Sequence, residues 1–530
     1  MSIKRPPPTL LIIIAAFLAS ALAWNVLVPA YESLDEIEHA EVVRHIAATG
    51  RLPIHGEAAE AGYHVQQEAS QPPLYHILAA GWMRLWGLST APHPHRPVPD
   101  EVIACGPSPT FYNKARHVHT LDEAQWPWDG PLRTLHALRL FSTLLQIATL
   151  VGAWTLARRI FPTGPAPALT TILVAFNPQF QLVAADVNND NLMTPLATWG
   201  LILAIDLWQR DPTPRRLVGF GLLSGLAGLS KLSGLALLGL GGLVLCARAW
   251  RDRTSIWRLV TWGLMLGLPA LFLIAPWMLR NWRLYGDPTA LAPMLEKVGH
   301  RQTGLDWGEA RLLLLSYWAQ MPCSFYPRAL YWPYLLLMAG GLVGVAHRWR
   351  RLASRQRAGL KIAALWFGLI LIAWIRWDLI TPAAGGRLLF PAAPALAVIL
   401  AAGWASVHRR AARIWAAALP ILALVALRCG PIMFFAPPAH LPADAAPPNP
   451  TELTFEAADE SAGSIALRGY TAQITQPKAR CLFASSSYCA PALDLTLYWQ
   501  AQATPTANWT MALQLVSPVP GDTTLRLNYN

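Results

Sequence analysis

The amino-acid sequence predicts a polytopic α-helical membrane protein with a small β domain at its C-terminal end. Of 530 residues, 54% are hydrophobic and 14% are charged, whereas an ordinary soluble protein has about a quarter of its residues charged. Several apolar stretches reach the roughly 17–25 residues that a helix needs to cross a bilayer. After residue 450, apolar and polar residues alternate, which is the pattern of β-strands. These observations favour a membrane-embedded helical part followed by a soluble β part.

Eleven apolar segments are predicted to span the membrane. They lie near residues 9–29, 137–157, 166–182, 193–208, 217–230, 232–248, 259–278, 330–346, 362–377, 387–406 and 413–432. The stretch 217–248 is predicted to form two short helices that turn at Ser230, Lys231 and Ser233. A single span there would move every later basic loop to the other side of the membrane. Residues 72–87 are predicted to form a helix that lies at the interface.

The net charge of +12 is explained by the loops on one side of the membrane. The side that carries the N-terminus holds 20 of the 42 Lys and Arg residues but only two acids, Asp211 and Asp252. Basic residues concentrate on cytoplasmic loops. The sequence therefore predicts a multi-pass protein of the cytoplasmic (inner) membrane with a cytoplasmic N-terminus and an extracytoplasmic C-terminal domain. The basic excess needs no nucleic-acid partner, and none is predicted.

The chain is predicted to divide into a membrane part and a β domain. Residues 1–432 form the membrane part, in which residues 30–136 are a large external loop with interfacial helices. A Pro-rich linker follows at residues 433–450. Residues 451–530 are predicted to form a β-sandwich-like domain, because segments such as 493–500 alternate with period two. The chain ends on such a pattern without a following turn, which is compatible with an incomplete domain.

A cluster of carboxylates directly follows the first span. Its members are Glu32, Asp35, Glu36, Glu38 and Glu41. Ser33 and Glu36 fit a capping box, which would place Asp35 in the first helical turn, where the helix dipole favours an ionised carboxylate by about 0.3–1 kcal/mol. Helical spacing puts Asp35, Glu38 and His39 on one face. From these residues alone, the start of an interfacial helix explains the pattern as well as a functional site does.

Further ionisable residues are predicted at the same membrane boundary. They are Glu68, Asp186, Asp190, Lys231, Arg280 and Arg387. A charge deep in lipid costs about 2.5–3.5 kcal/mol on insertion scales, so charges near the membrane usually face a cavity or a partner. Facing carboxylates and cations would suit an anionic lipid phosphate. The alternative for each arginine is that it extends to lipid headgroups.

The order of these motifs resembles that of membrane glycosyltransferases of the GT-C class, in particular the protein-mannosyltransferase-like and aminoarabinose-transferase-like group (family 39/83 type). The matching stretches are "LDEIEHAEVVRHIAATGRLP", "QPPLYHILAAGWMRLWG", "NPQFQLVAADVNNDNL", "GLSKLSGLALL", "APWMLRNWRLYGDP" and "GGRLLFPAAPALA". Each stretch is a weak signal alone. The ordered set covers nearly all of residues 10–430 and is fairly specific.

The resemblance implies a GT-C-like fold and an enzyme of the cell envelope. Such an enzyme transfers a sugar from a polyprenyl-phosphate donor to an extracytoplasmic protein, glycolipid or cell-wall glycan, with inversion at the anomeric carbon. Asp35 matches the catalytic acidic position, where it would take the proton of the acceptor hydroxyl, and Glu36 is the second catalytic candidate. The candidates for binding the donor phosphate are Arg387, Arg280 and Lys231, in that order.

No cofactor is required by the resemblance, and a divalent cation is left open. Members with a cation site often have Glu-Lys before the two prolines, where this chain has Ser-Gln. Glu38, His39, Glu68 and Asp190 are the candidates for supporting the site, for binding the acceptor or for holding a cation. Asp190 matches the second acidic position of the family.

Other functions remain open from sequence. A polymerase or ligase that uses lipid-diphosphate glycans would differ in having two phosphates on the carrier lipid. A lipid or solute transporter predicts charges near the middle of the bilayer and internal repeats with paired broken helices, and the sequence shows no such repeat. A receptor without catalytic activity would leave the acidic loop unexplained.

Overall fold

The computed structural model describes two compact units. The residues described are 6–93, 97, 116–117, 119, 123, 126–304, 306–320, 326, 328–383, 385–407, 409–432, 446–456, 464–475, 492–501, 513–515 and 527–529. One unit comprises Met1–His95 and His119–Ile432, and the other comprises Arg96–Val118 and Met433–Asn530. The predicted linker 433–450 lies for the most part outside the described residues, so the predicted domain limits stay predictions.

The first unit is helical. Its α-helices, labelled α1 to α17 in chain order, are Pro8–Leu27, Glu36–Thr49, Glu57–Glu60, Leu74–Leu85, Gly130–Ile160, Ala166–Ala175, Pro178–Ala184, Asp190–Gln209, Pro214–Ser230, Ala236–Arg251, Ile256–Tyr285, Leu291–Val298, Trp307–Ser316, Arg328–Arg348, Ser354–Asp378, Ala393–Val407 and Arg409–Leu427. Short 3₁₀ helices at Gln66–Ser70, Leu232–Leu235 and Gly386–Ala392 contribute to the site described below. This architecture confirms the predicted fold class of a polytopic helical protein.

Eight helical segments of the described chain are long and apolar enough to cross a membrane. They are Pro8–Leu27, Gly130–Ile160, Leu232–Arg251, Ile256–Tyr285, Ala329–Arg351, Ser354–Asp378, Gly386–Val407 and Arg410–Ile432. The other three of the eleven predicted spans coincide with helices that are shorter or more polar. The segment 166–182 is split into α6 and α7 at Asn177, because Pro178 begins a new helix and the Asn177 side chain accepts a hydrogen bond from its first turn.

The predicted break within residues 217–248 is confirmed. Helix α9 ends at Ser230, and α10 begins at Ala236 after one 3₁₀ turn. The two chain segments approach so closely at Gly234 that a Cβ atom there would lie 2.3 Å from the carbonyl carbon of Ala227. Lys231 therefore stands at the tip of the hairpin in an extended conformation. Helix α4, of 12 residues, also forms within the segment predicted to be an interfacial helix.

The helix after the first span begins later than the sequence predicts. Asp35 is its N-cap residue, in the left-handed conformation with φ 60° and ψ 13°, and its side chain makes no capping bond. The predicted capping box of Ser33 and Glu36 is therefore wrong. The reason is that both side chains have other partners, since Ser33 bonds to Asp186 and Glu36 pairs with Arg139. Aspartate is one of the few residues that adopt the left-handed conformation readily.

A buried ion pair fixes the start of α2 against α5. Both side chains, Glu36 and Arg139, are fully buried, and the two guanidinium–carboxylate hydrogen bonds are each 2.6 Å long. Arg139 also donates to the backbone carbonyls of Asn25, Val28 and Pro29. One arginine thus holds together the end of α1, the loop and the start of α2. Around it, α2, α4 and α5 share a hydrophobic core.

The second unit contains antiparallel sheets. Strands β1 (Asn449–Glu456), β2 (Ser464–Thr475) and β3 (Ala492–Ala501) form one sheet in that order, and β4 (Leu513–Leu515) pairs with β5 (Leu527–Tyr529). The predicted strand at 493–500 is confirmed by β3. The small sheets agree with the β domain expected at this end of the chain.

Candidate active site

A cavity of about 610 Å³ opens within the helical unit. Its polar wall brings together five residues that the sequence singles out, namely Asp35, His39, Glu68, Lys231 and Arg387. Its apolar wall includes Leu291, Met294, Val298, Ile370, Trp374 and Trp377. The cavity therefore offers ionisable groups at one part and a hydrocarbon-like surface at another.

Asp35 and Arg387 are in direct contact in this cavity. The Arg387 guanidinium donates to the Asp35 carboxylate and, at 3.4 Å, to the carbonyl of Leu34. The Asp35 side chain is 37% exposed, so the ion pair leaves the carboxylate accessible from the cavity. Gly386 allows the arginine to come this close, because a Cβ atom there would lie 2.1 Å from the backbone nitrogen of Tyr317. Residues 352 positions apart in the chain thus meet at one ion pair.

A second cation, Lys231, pairs with Asp190. Their Nζ and Oδ1 atoms lie 2.6 Å apart, and the aspartate is buried while the lysine remains partly exposed. Asp190 is the first residue of α8, where the positive end of the helix dipole stabilises an anion. Its other oxygen, Oδ2, is buried and has no hydrogen-bond partner among the described atoms. The predicted second acidic position is thus placed beside a predicted phosphate-binding cation.

Asp186, the neighbouring aspartate in the sequence, is buried outside the described cavity lining. Burial raises the pKa of its carboxyl well above the ordinary value, and the negative charge of Glu36 raises it further. Its contact with Ser33 ties it to the loop before α2. Asp186 therefore supports the loop, whereas Asp190 pairs with Lys231, which lines the cavity.

His39, Glu68 and His76 form a buried cluster beside Asp35. His39 Nδ1 lies 2.9 Å from His76 Nε2 and 3.2 Å from Glu68 Oε2. Burial, followed by the charge of Asp35, raises the pKa of Glu68. Burial lowers the pKa of both imidazoles, that of His76 to about 3. Burial therefore favours the neutral form of both imidazoles.

Gln71 links this cluster to the Asp190 loop. Its amide nitrogen donates to Glu68 Oε1 at 2.7 Å, and its amide oxygen accepts from Asn189 at 2.8 Å. Gln71 stands directly before the two prolines, at the second position of the Ser-Gln pair in which this chain departs from the family pattern. The glutamine thus has a defined structural role at that position.

Four residues predicted for the site do not lie among the described residues that line the cavity, and one of them is Asp190, which contacts the lining residue Lys231. Glu36 is occupied by the buried pair with Arg139. Arg280 donates to the backbone carbonyls of Leu52 and Pro53, so it braces the end of the acidic loop. Glu38 lies 3.7 Å from the ring nitrogen of a neighbouring residue, His64. Their predicted chemical roles stay predictions, and their contacts are those of supporting residues.

His76 is a member of the site that was not predicted from the sequence, although it lies in the family-like stretch "QPPLYHILAAGWMRLWG". Its position three residues after Pro73 could have indicated that it belongs to the site. Pro73 precedes α4, so His76 falls in the first turn of that helix, next to the loop that carries Glu68. A histidine at that point is directed back toward the residues before the prolines.

A protein-family model supports the resemblance noted in the sequence. The model of dolichyl-phosphate-mannose-protein mannosyltransferase matches residues 133–279. This confirms the relationship to protein mannosyltransferases. The matched segment runs from α5 into α11 and contains Asp190 and Lys231, whereas Asp35 and Arg387 lie outside it. No curated protein matches the chain.

Solved structures of two kinds of protein are similar to the chain. ArnT from Cupriavidus metallidurans bound to undecaprenyl phosphate has a TM-score of 0.47 at 17% identity over 76% of this chain and 61% of that chain. The Archaeoglobus fulgidus oligosaccharyltransferase in complex with Zn and sulfate has a TM-score of 0.39 at 13% identity over 79% of this chain and 52% of that chain. The chain thus spans about half to three fifths of the length of these proteins.

Proposed function

We propose that the protein is an integral-membrane glycosyltransferase that transfers a sugar from a polyprenyl-phosphate donor to an acceptor hydroxyl group. One observation carries the proposal. An accessible carboxylate, Asp35, faces a cation, Arg387, inside a cavity that holds a second cation, Lys231, and has an apolar wall. This combination of a base, two cations and a hydrocarbon-like surface fits a phosphate attached to a lipid chain.

In the proposed reaction Asp35 acts as the general base. The acceptor oxygen attacks the anomeric carbon as its proton passes to the Asp35 carboxylate, and the bond between that carbon and the phosphate oxygen breaks. The products are the glycosylated acceptor, the lipid monophosphate and a protonated Asp35, which then releases its proton to water. Attack from the face opposite the phosphate inverts the anomeric carbon. General-base catalysis of this kind contributes about 10²–10⁴ to a rate.

The proposed role of Arg387 and Lys231 is to bind the phosphate and to stabilise its charge as it leaves. Fixed cations aimed at a developing negative charge lower the barrier without needing a general acid. Both cations are paired with carboxylates, Asp35 and Asp190. A phosphate group would exchange contacts with these pairs, so its charge would be balanced by groups that are already in place.

The apolar wall supports the lipid part of the proposed donor. Met294 and Val298 lie on α12, and Ile370, Trp374 and Trp377 lie on α15, so two helices contribute to it. Burial of hydrocarbon contributes about 25 cal/mol for each Å² removed from water. We propose that the first isoprene units of the carrier contact this wall while the phosphate reaches the cations.

We also propose that the enzyme lies in the cytoplasmic membrane with its N-terminus inside and its site outside. The support is the concentration of Lys and Arg on one set of loops, as is usual for cytoplasmic loops. Single cysteines introduced at positions 354 and 460 test this arrangement with a membrane-impermeant thiol reagent. Residue 460 should react in intact cells and residue 354 only after lysis, and the reverse pattern would contradict the orientation.

The enzymatic proposal is tested with membranes that contain the full chain and radiolabelled polyprenyl-phosphate sugars. We expect the wild type to transfer label to an acceptor. In Asp35→Asn the rate of transfer should fall by a factor of about 10²–10⁴. Asparagine tolerates the left-handed backbone of residue 35, so this variant should fold normally. Glu60→Gln, an exposed carboxylate of the same loop, is the matched control and should retain full activity.

Two results would contradict this proposal. Transfer by Asp35→Asn at the rate of the Glu60→Gln control would remove the aspartate from the mechanism. Transfer from lipid-diphosphate sugars but not from lipid-monophosphate sugars would point instead to a polymerase or ligase.

A further inference from the structure

We propose that His39, Glu68 and His76 bind one divalent cation, zinc in the first place, in the wall of the cavity beside Asp35. This site does not depend on the proposed glycosyl transfer, and it differs from the cation candidates that the sequence predicts. His76 joins the ligands, and Asp190 is excluded because it is paired with Lys231.

The distances fit a single small cation. The three ligand atoms lie within 4.8 Å of one another, and two of the separations are 2.9 and 3.2 Å. Zinc binds imidazole nitrogen and carboxylate oxygen at about 2.0–2.2 Å, which makes the edge between two tetrahedral ligands about 3.3 Å long. Binding of one cation would therefore require the three side chains to shift until all their ligand atoms reach this spacing.

The polar atoms of the cluster are incompletely satisfied without a cation. His39 Nδ1 faces two groups, His76 Nε2 and Glu68 Oε2, and a single N–H can donate well to only one of them. Glu68 Oε2 has no hydrogen-bond donor in the described structure. The side chains of all three residues are almost fully buried, where an unsatisfied carboxylate oxygen is costly. A cation bound between the three atoms would satisfy them together.

The surroundings of the cluster resemble an outer coordination shell. The second carboxylate oxygen of Glu68 accepts from Gln71 at 2.7 Å, and Asn189 in turn holds Gln71. Hydrogen bonds of this kind fix the orientation of a metal ligand. His39 and Glu68 line the cavity while His76 does not. A fourth coordination position would therefore face the cavity, where water or an anionic oxygen could occupy it.

The donor atoms select the class of cation. Two imidazoles and one carboxylate form a known ligand set of zinc sites that keep one position open. Magnesium and calcium prefer six or more oxygen ligands, so they fit this cluster poorly. The three ligands come from α2, the 3₁₀ helix Gln66–Ser70 and α4. A bound cation would thus also tie together the segments that surround Asp35.

The test uses the purified full-length chain, stripped with a chelator and then dialysed against zinc. We expect one zinc per chain by elemental analysis and, after cobalt substitution, the intense visible absorption of a four-coordinate site. His76→Gln should lose the stoichiometric metal and the cobalt spectrum. The matched control is His45→Gln, a half-buried histidine on the same helix as His39 that lies outside the cluster, and it should retain both.

The outcomes separate binding from folding and from glycosyl transfer. The metal-free wild type and His76→Gln should melt at the same temperature, and only the wild type should be stabilised by zinc. If His76→Gln does not fold, Glu68→Gln serves as the second variant. Absence of metal from the wild type, or equal binding by wild type and variants, would overturn the proposal. Neither readout measures transfer, so failure here would leave the proposed reaction standing.

Discussion

Replacement of Glu36 by Gln distinguishes a structural carboxylate from a catalytic one. The sequence places Glu36 beside Asp35 as a catalytic candidate, whereas the structure buries it completely against Arg139. Glu36→Gln keeps the size of the side chain and removes its charge. The substitution should therefore leave a buried arginine without its counter-ion, and its first effect should be on stability.

The size of this effect follows from the contacts of the pair. Removing one partner of a buried ion pair typically costs about 3–5 kcal/mol of folding free energy. Arg139 retains three backbone carbonyl acceptors, those of Asn25, Val28 and Pro29, so we expect a loss near 3 kcal/mol. Arg139→Met should cost a similar amount, because among the described residues Glu36 would keep only its bond from the Tyr31 backbone nitrogen.

Thermal unfolding of the detergent-purified protein measures the effect, and the double variant is the control. Glu36→Gln with Arg139→Met removes both charges, so it should be less destabilised than the sum of the single variants. Sugar transfer per folded molecule should remain within a few fold of the wild type. If Glu36→Gln melts like the wild type but loses transfer, Glu36 is catalytic and the reasoning from burial fails.

Three further predictions concern packing, pH and phosphate binding. Gly403→Ala should lower the free energy of unfolding by at least about 1–3 kcal/mol, because the new Cβ would lie 1.8 Å from the Gly341 carbonyl oxygen. Thermal melting should show this loss, and it should show none in the control Gly267→Ala, where nothing lies within 4 Å of the new Cβ. Burial lowers the pKa of His119, but the hydrogen bonds with Glu123 and Glu32 outweigh this effect and raise the pKa to about 9. These hydrogen bonds should therefore stabilise the fold fully below about pH 6.5, and this stabilisation should be lost as pH rises through about 9. Melting temperatures of the wild type measured from pH 6 to 10 would show the loss. If the melting temperature of His119→Gln changed with pH in the same way as that of the wild type, the prediction would be wrong. Arg387→Gln should lower transfer about 10²–10³-fold, whereas Arg280→Gln should act mainly through the loop that it braces and cost much less; equal losses in the transfer assay would restore Arg280 to the phosphate site.

The fold could be predicted largely from hydropathy and charge. The length of the apolar runs located the long helices, and the distribution of basic residues predicted the break at Lys231, which hydropathy alone would miss. The segments 166–182 and 193–208 were harder to classify. A buried helix inside a bundle and a helix that faces lipid can have the same composition, so period and length do not separate them.

The site could be predicted only in part, because its ion pairs are contacts between distant segments. The contact of Asp35 with Arg387 joins residues 352 positions apart, and only the order of family motifs suggested it. Local rules failed at Glu36. The capping box was assigned from spacing, while the real partner, Arg139, is 103 residues away. Propensity cannot reveal such a partner, since a buried pair outweighs a capping bond.

The conformation of Asp35 explains how two adjacent carboxylates serve different purposes. If Asp35 were helical, its side chain and that of Glu36 would leave the helix start about 100° apart, and both would compete for the same backbone donors. Because Asp35 adopts the left-handed conformation, the helix begins only at Glu36. Glu36 then enters the core and anchors the loop through Arg139, and Asp35 faces the cavity without a capping bond. Rigid support and an accessible carboxylate thus come from neighbouring residues because the backbone changes conformation between them.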